Sequence, residues 1–102
     1  MSSEIFIQVQ SGKNAGVAFN NAVEQAAYDH GHAGYTGTIA EKESFVMIPL
    51  PKKGKKNLVD RAEAFANKLI EKNDSRIDDK WGPAGCIKVG RSKYLFFGWA
   101  SS

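Results

Sequence analysis

The N-terminal part of the chain changes from the hydrophobic period of a strand to that of a helix. Aliphatic residues at positions 5, 7 and 9 alternate with Phe6 and two glutamines, which predicts a strand with one mostly buried face. From about residue 14 to residue 30, alanines and neighbouring apolar residues recur at helical spacing and predict an amphipathic helix. Gly31 is well placed to cap the C-terminal end of that helix.

The middle of the chain predicts a hairpin followed by a second helix. The apolar runs 38–40 and 45–48 flank a charged stretch, and we interpret them as two strands joined by a turn, with one long strand as the alternative. The prolines that follow end this element, because proline cannot donate to a strand ladder. Asn57 can cap the second helix, and residues 73–75 end it. Its apolar face consists of Leu58, Val59, Ala62, Phe65, Ala66, Leu69 and Ile70.

Two further strands are predicted near the C-terminus, at 86–89 and 94–99. The expected order is β-α-β-β-α-β-β, an α+β fold in which a mainly antiparallel sheet of about five strands carries both helices on one face. Phe96 and Phe97 are adjacent and must point to opposite faces of the sheet. One side of the sheet would then carry an apolar patch, which a homodimer through this C-terminal aromatic strand would cover.

Length and composition indicate one compact domain, residues 1–102. Hydrophobic and charged contents of 42% and 25% are ordinary globular values, which argues against global disorder. Cys86 is the only cysteine, and its apolar surroundings in the sequence predict a buried structural thiol in a reducing compartment. No run approaches the ~20 apolar residues of a membrane span, and no basic region precedes an N-terminal apolar segment. We expect a cytoplasmic protein.

The positive charge of the chain is concentrated in the lysine segment, residues 52–56. Removing its four lysines from the net charge of +3 leaves −1. A general nucleic-acid-binding protein spreads its basic residues over a surface, so this distribution does not favour that class. The simplest interpretation is a solvated loop; if it is functional, its ammonium groups would contact phosphates or an acidic protein surface.

The segment 28–42, YDHGHAGYTGTIAEK, combines aromatic, imidazole and glycine residues in the manner of a binding loop. Its glycines follow a helix, whereas phosphate-binding loops precede one, so a dipole-assisted phosphate site is not predicted. His30 and His32 lack the further ligands that zinc requires. We expect this segment to form a binding surface with Trp81 and the lysine segment. The candidate binding residues are Tyr28, His30, His32, Tyr35, Thr36, Thr38, Trp81, Lys52, Lys53, Lys55 and Lys56.

Three segments, GHAGYTGTIAEK (31–42), DKWGPAG (79–85) and LFFGWASS (95–102), resemble segments of small uncharacterised proteins encoded by bacteriophages and prophages. Together they cover about a quarter of the chain. The resemblance implies a host-takeover or anti-defence factor in the cytoplasm of the bacterial host, and it carries no catalytic residues. Such a factor would occupy a host protein or sequester a nucleotide.

The leading hypothesis is a non-enzymatic binding protein that inhibits or modulates a host defence factor by direct contact. The alternative is a nucleotide-sequestering protein in which His32, Tyr35 and Trp81 hold a base and a threonine or lysine holds phosphate. An enzyme is the least favoured of the three hypotheses, because the sequence shows no nucleophile–base pair and no metal-ligand set. No cofactor, metal or membrane partner is expected.

Overall fold

The structure is a computed structural model that describes residues 3–30, 35–51 and 57–101. The side chain of His30 lies outside this description. In chain order the elements are β1 (Ser3–Ser11), α1 (Ala15–His30), a 3₁₀ helix (Ile39–Glu41), β2 (Phe45–Met47), α2 (Leu58–Glu71), β3 (Ala84–Lys88) and β4 (Lys93–Ser101).

Over the described residues, the strands form one mixed sheet of four strands in the order β1-β4-β3-β2. β4 lies antiparallel to both β1 and β3, whereas β2 and β3 are parallel. The α+β class is confirmed, but the expected fifth strand and the hairpin at 37–49 are wrong. Residues 39–41 form the 3₁₀ helix instead, capped by the side chain of Thr38. Helix α2 connects β2 to β3 as a crossover, which is the connection that parallel strands require.

The two helices pack on opposite faces of the sheet, so the expectation that both share one face is wrong. One buried cluster joins α1 to Phe96, and a second joins α2 to Leu95 and Phe97. Because successive strand residues point to opposite faces, these three buried residues require cover on both sides. Phe96 and Phe97 therefore leave no apolar patch. β4 is also paired along both edges, which leaves it no free edge for the predicted homodimer.

β1 turns its aliphatic residues to the less covered face. Phe6 is buried beneath α1, whereas Ile5 is 49% and Val9 38% exposed. This reverses the burial that the alternation suggested, because α2 packs over β4 and β3 and leaves the outer strand β1 largely uncovered on that side.

Helix α2 begins and ends where the sequence predicts. The Asn57 side chain accepts a hydrogen bond from the backbone N–H of Asp60 at 2.9 Å, as an N-cap does. The helix stops before Asn73, whose φ of 52° lies in the left-handed region.

Behind α2, the ring of Phe97 lies so close to Gly85 that a Cβ there would be 2.5 Å from two ring atoms. Only glycine fits at this position, where Gly85 of β3 pairs with Phe97 of β4.

Candidate binding site at the Trp81 turn

The turn at residues 79–82, here called the Trp81 turn, presents its tryptophan to solvent at the end of the α2–β3 connection. The N–H of Gly82 donates to the carbonyl of Asp79 at 2.9 Å, which closes the turn. The Asp79 carboxylate also accepts from the N–H of Trp81 at 2.8 Å. Trp81 itself is 55% exposed. The indole is thus exposed to solvent, on a turn whose backbone conformation is fixed by hydrogen bonds within residues 79–82.

A buried amine attaches this turn to the rest of the domain. Lys42 is only 4% exposed, and its Nζ donates to the carbonyls of Asp79, Lys80 and Gly82 at 3.3, 3.1 and 2.9 Å. An ammonium group has three N–H donors, so these contacts use all of them. Burial lowers the pKa of Lys42, and the nearby Asp79 carboxylate partly opposes that shift. Lys42 is therefore a positioning residue of the site.

Tyr35 completes the site from a segment distant in sequence. Its ring meets that of Trp81 edge to face, with centroids 5.3 Å apart and ring planes at 75°. Tyr35 is 49% exposed, so both rings keep about half of their surface available. The Nζ of Lys80 lies 5.5 Å from the centroid of the Trp81 ring, within the range of a cation–π contact. The result is an exposed aromatic pair with a positive charge beside it.

A network of polar contacts organises the chain after Tyr35. The carboxylate of Glu41 accepts from the backbone N–H of Thr36 at 3.0 Å and from its hydroxyl at 2.8 Å. The hydroxyls of Thr36 and Thr38 are 2.7 Å apart, and the Thr38 hydroxyl accepts from the N–H of Ala40. Both threonine hydroxyls thus have internal partners. Their expected role as phosphate contacts would require these bonds to be exchanged, beside a carboxylate that repels phosphate.

The structure brings together four of the candidate binding residues, Tyr35, Thr36, Thr38 and Trp81. Tyr28 is 87% exposed on α1, and no ring contact joins it to the aromatic pair within the described residues. His32, the His30 side chain and the four lysines of the lysine segment lie outside the described residues.

Sequence reasoning missed Lys42 and Glu41 as parts of the site. It placed both in a charged hairpin turn, where a solvated side chain is the ordinary expectation. The spacing Thr38-x-x-Glu41 is that of a capping box and could have revealed the 3₁₀ helix. In the structure Glu41 reaches back to Thr36 instead of the cap residue. No comparable signal marks Lys42, because its carbonyl partners lie 37 to 40 residues away.

Other chemical groups of the domain are less suited to a site. The predicted burial of Cys86 is confirmed, and this burial raises the pKa of its thiol to about 12. Over the described residues, no group of three metal-ligating side chains comes together. A shallow cavity of about 310 Å³ lies between the start of α1 and β2, lined by Gly16, Phe19, Asn20, Glu43, Ser44 and Phe45. None of the described helices combines the length and hydrophobicity needed to cross a membrane.

Comparison of the chain with protein-family models, with curated proteins and with solved structures found no match in any of the three. The functional argument therefore depends on the geometry of the Trp81 turn and its surroundings.

Proposed function

We propose that this protein is a non-enzymatic binding module that contacts a partner protein through Tyr35 and Trp81. The observation that carries the proposal is the exposed edge-to-face pair of these rings, 5.3 Å apart. Tyrosine and tryptophan are favoured anchors of protein interfaces, because they bring large contact area with few rotatable bonds.

The support of the two rings is consistent with this role. Lys42 and Asp79 hold the Trp81 turn, and Glu41 holds the backbone next to Tyr35. Side chains positioned in this way lose little conformational freedom when a partner binds, so more of the interaction energy appears as affinity. Rigid support for two half-exposed rings favours recognition over a purely structural function.

Resemblance to small phage-encoded proteins extends the proposal to a class of partner. On this reading the Tyr35–Trp81 surface occupies a host protein, such as a component of a defence system, and inhibits it. Lys80 beside the indole adds a positive charge at this surface, which favours a partner with acidic residues around its contact region.

The test is capture of proteins from bacterial lysate with immobilised wild type and with the double variant Tyr35→Ala/Trp81→Ala. We expect wild type to retain a host protein and the double variant to lose it. Met47→Ala is the matched control, because Met47 in β2 is an apolar side chain of similar exposure, 47%, outside the ring pair. Equal retention by the double variant and wild type, or no retained protein at all, would contradict the proposal.

Nucleotide sequestration stays the alternative prediction, and the ring geometry does not favour its simplest form. The two rings meet edge to face, so they leave no parallel gap between them in which a base could stack. A thermal-shift panel of nucleotides, including cyclic ones, separates the two functions. Ligand at 100 times its dissociation constant should stabilise the fold by ~2.7 kcal/mol. A shift that disappears in Trp81→Ala would favour the nucleotide function.

A further inference from the structure

β1 is an outer strand of the sheet and pairs with β4 along one edge only. Among the residues that the structure describes, no strand pairs with its other edge. β1 is nine residues long, SEIFIQVQS, and lacks the lysines and prolines that commonly protect an exposed edge from other strands. A long edge of this kind is a template for pairing with another strand.

The hydrogen-bond register identifies which backbone groups point outward. The N–H of Gly12 donates to the carbonyl of Ser92 at 3.0 Å, continuing the register of β1 with β4. In antiparallel pairs, bonded residues alternate with residues whose N–H and C=O point away. The even-numbered residues are therefore bonded to β4. The backbone groups of Ile5, Ile7 and Val9 point to the free edge.

The same three residues also form an apolar row on the face that α2 leaves uncovered. Ile5 and Val9 are 49% and 38% exposed, and Ile7 is half-buried beside the α2 cluster. Unpaired backbone groups and exposed aliphatic side chains thus coincide on one strand. A partner strand at this edge would form hydrogen bonds with the unpaired backbone groups and would extend the row of aliphatic side chains.

We propose that β1 pairs antiparallel with β1 of a second copy of this chain, about a two-fold axis at Ile7. The register that overlaps the whole strand places Ile7 opposite Ile7, and Ile5 of each copy opposite Val9 of the other. Ile5, Ile7 and Val9 of each copy then fall in hydrogen-bonded pairs, and their side chains form one apolar row. Glu4 faces the neutral Gln10, so no like charges oppose each other.

This self-complementarity favours a second copy over an unrelated extended peptide. The strand supplies its own mostly uncharged, aliphatic partner, with Ile5, Ile7 and Val9 matched at the centre of the register. At the end of the strand, the Ser11 carbonyl already accepts a hydrogen bond from the Asn21 side chain at 3.1 Å. The dimer would have one continuous sheet across both copies. The variants that test it lie in β1 and leave the residues of the Trp81 turn unchanged, so failure of the dimer and failure of the proposed function are distinguishable.

Sedimentation velocity over a wide range of protein concentrations tests the dimer. The variants introduce one charge, or two opposite charges, at positions that face each other in the proposed dimer. Wild type is expected to dimerise, and Val9→Lys to raise the dissociation constant roughly tenfold or more, equivalent to ~1.4 kcal/mol or more. The double variant Ile5→Glu/Val9→Lys should recover most of the affinity. Within one strand the two positions are about 13 Å apart, so the opposite charges can pair only between copies.

Amide hydrogen exchange provides a second measurement, which needs only the wild type. On raising the protein concentration, exchange at Ile7 should slow, whereas exchange at Gln8, bonded to β4, should not change. A wild type that stays monomeric, a dimer indifferent to Val9→Lys, a folded double variant as weak as the single one, or an Ile7 amide indifferent to concentration would each overturn the proposal. Circular dichroism checks that each variant is folded.

Discussion

The connection between α2 and β3 is organised by a charged side chain at each end, but the two contacts differ in range and burial. At its start, Arg76 donates to the Asp74 carboxylate two residues away, at 2.8 Å, with its own side chain 43% exposed. At its end, Lys42 reaches the Trp81 turn from 37 to 40 residues earlier in the chain and is 4% exposed.

The difference indicates which contact holds the candidate site. An exposed ion pair contributes little, because water solvates both partners nearly as well when they are apart. A buried amine among three carbonyls cannot be replaced by water without opening the structure around it. The Trp81 turn therefore depends on Lys42, and the Asp74–Arg76 contact only fixes the start of the connection.

The largest expected effect is that of Lys42→Met. The substitution leaves three carbonyls without their donor and should lower the free energy of unfolding by about 3 kcal/mol. Urea denaturation measures this change. Lys88→Met is the matched control, because Lys88 is exposed on β3 and should cost less than about 0.5 kcal/mol. A Lys42→Met protein as stable as the control would remove the distinction between the two ends of the connection.

An intermediate effect is expected for Glu41→Ala, which tests the support beside Tyr35. Its carboxylate accepts two hydrogen bonds from Thr36 in a partly buried position, so we expect a loss of about 1–2 kcal/mol. Thermal unfolding compared with Glu43→Ala, an exposed neighbour, measures the effect. If both variants lose the same stability, the Glu41 network does not support the site.

The smallest effect is expected for Asp74→Asn. The Arg76 contact lowers the pKa of Asp74 from 3.8 to about 2, so the folded state favours the ionised carboxylate. Its contribution is fully present above pH 3.8 and is lost as the pH falls through about 2. At pH 7 the variant should lose less than about 1 kcal/mol, because the pair is exposed. Asp78→Asn controls for the loss of a carboxylate.

Urea denaturation of the wild type and Asp74→Asn at neutral and acidic pH gives the readout. The stability difference between them should shrink as the pH approaches 2. A difference that grows on acidification would contradict the sign of the shift. An effect as large as that of Lys42→Met would mean that the local contact supports the connection as strongly as the buried one does.

Much of the secondary structure followed from local pattern. The spacing of alanines marked α1, and the Asn57 cap and the apolar series marked α2. The pair of C-terminal strands was also predicted, and β3 and β4 do pair antiparallel. Each of these elements depends on residues close together in the chain, and the spacing of their apolar residues shows directly whether the period is that of a helix or of a strand.

The candidate site was predicted in part. Aromatic residues among glycines indicated Tyr35, and an isolated tryptophan before Gly-Pro indicated Trp81. Their contact joins segments 46 positions apart, and nothing in either segment specifies the other. The role of Lys42 was hidden for the same reason, since a lysine between glutamates is typical of a solvated turn.

By itself, the sequence determined two amphipathic helices, a C-terminal antiparallel strand pair and a buried thiol, and it indicated two aromatic residues of the candidate site. Only the tertiary structure decided that the helices cover opposite faces, that β2 joins β3 in parallel, and that a buried amine carries the Trp81 turn. The physical reason is that hydrophobic periodicity shows which side of an element is apolar. Which side becomes buried depends on the elements that cover it, as the exposed Ile5 and the buried Phe6 of β1 demonstrate.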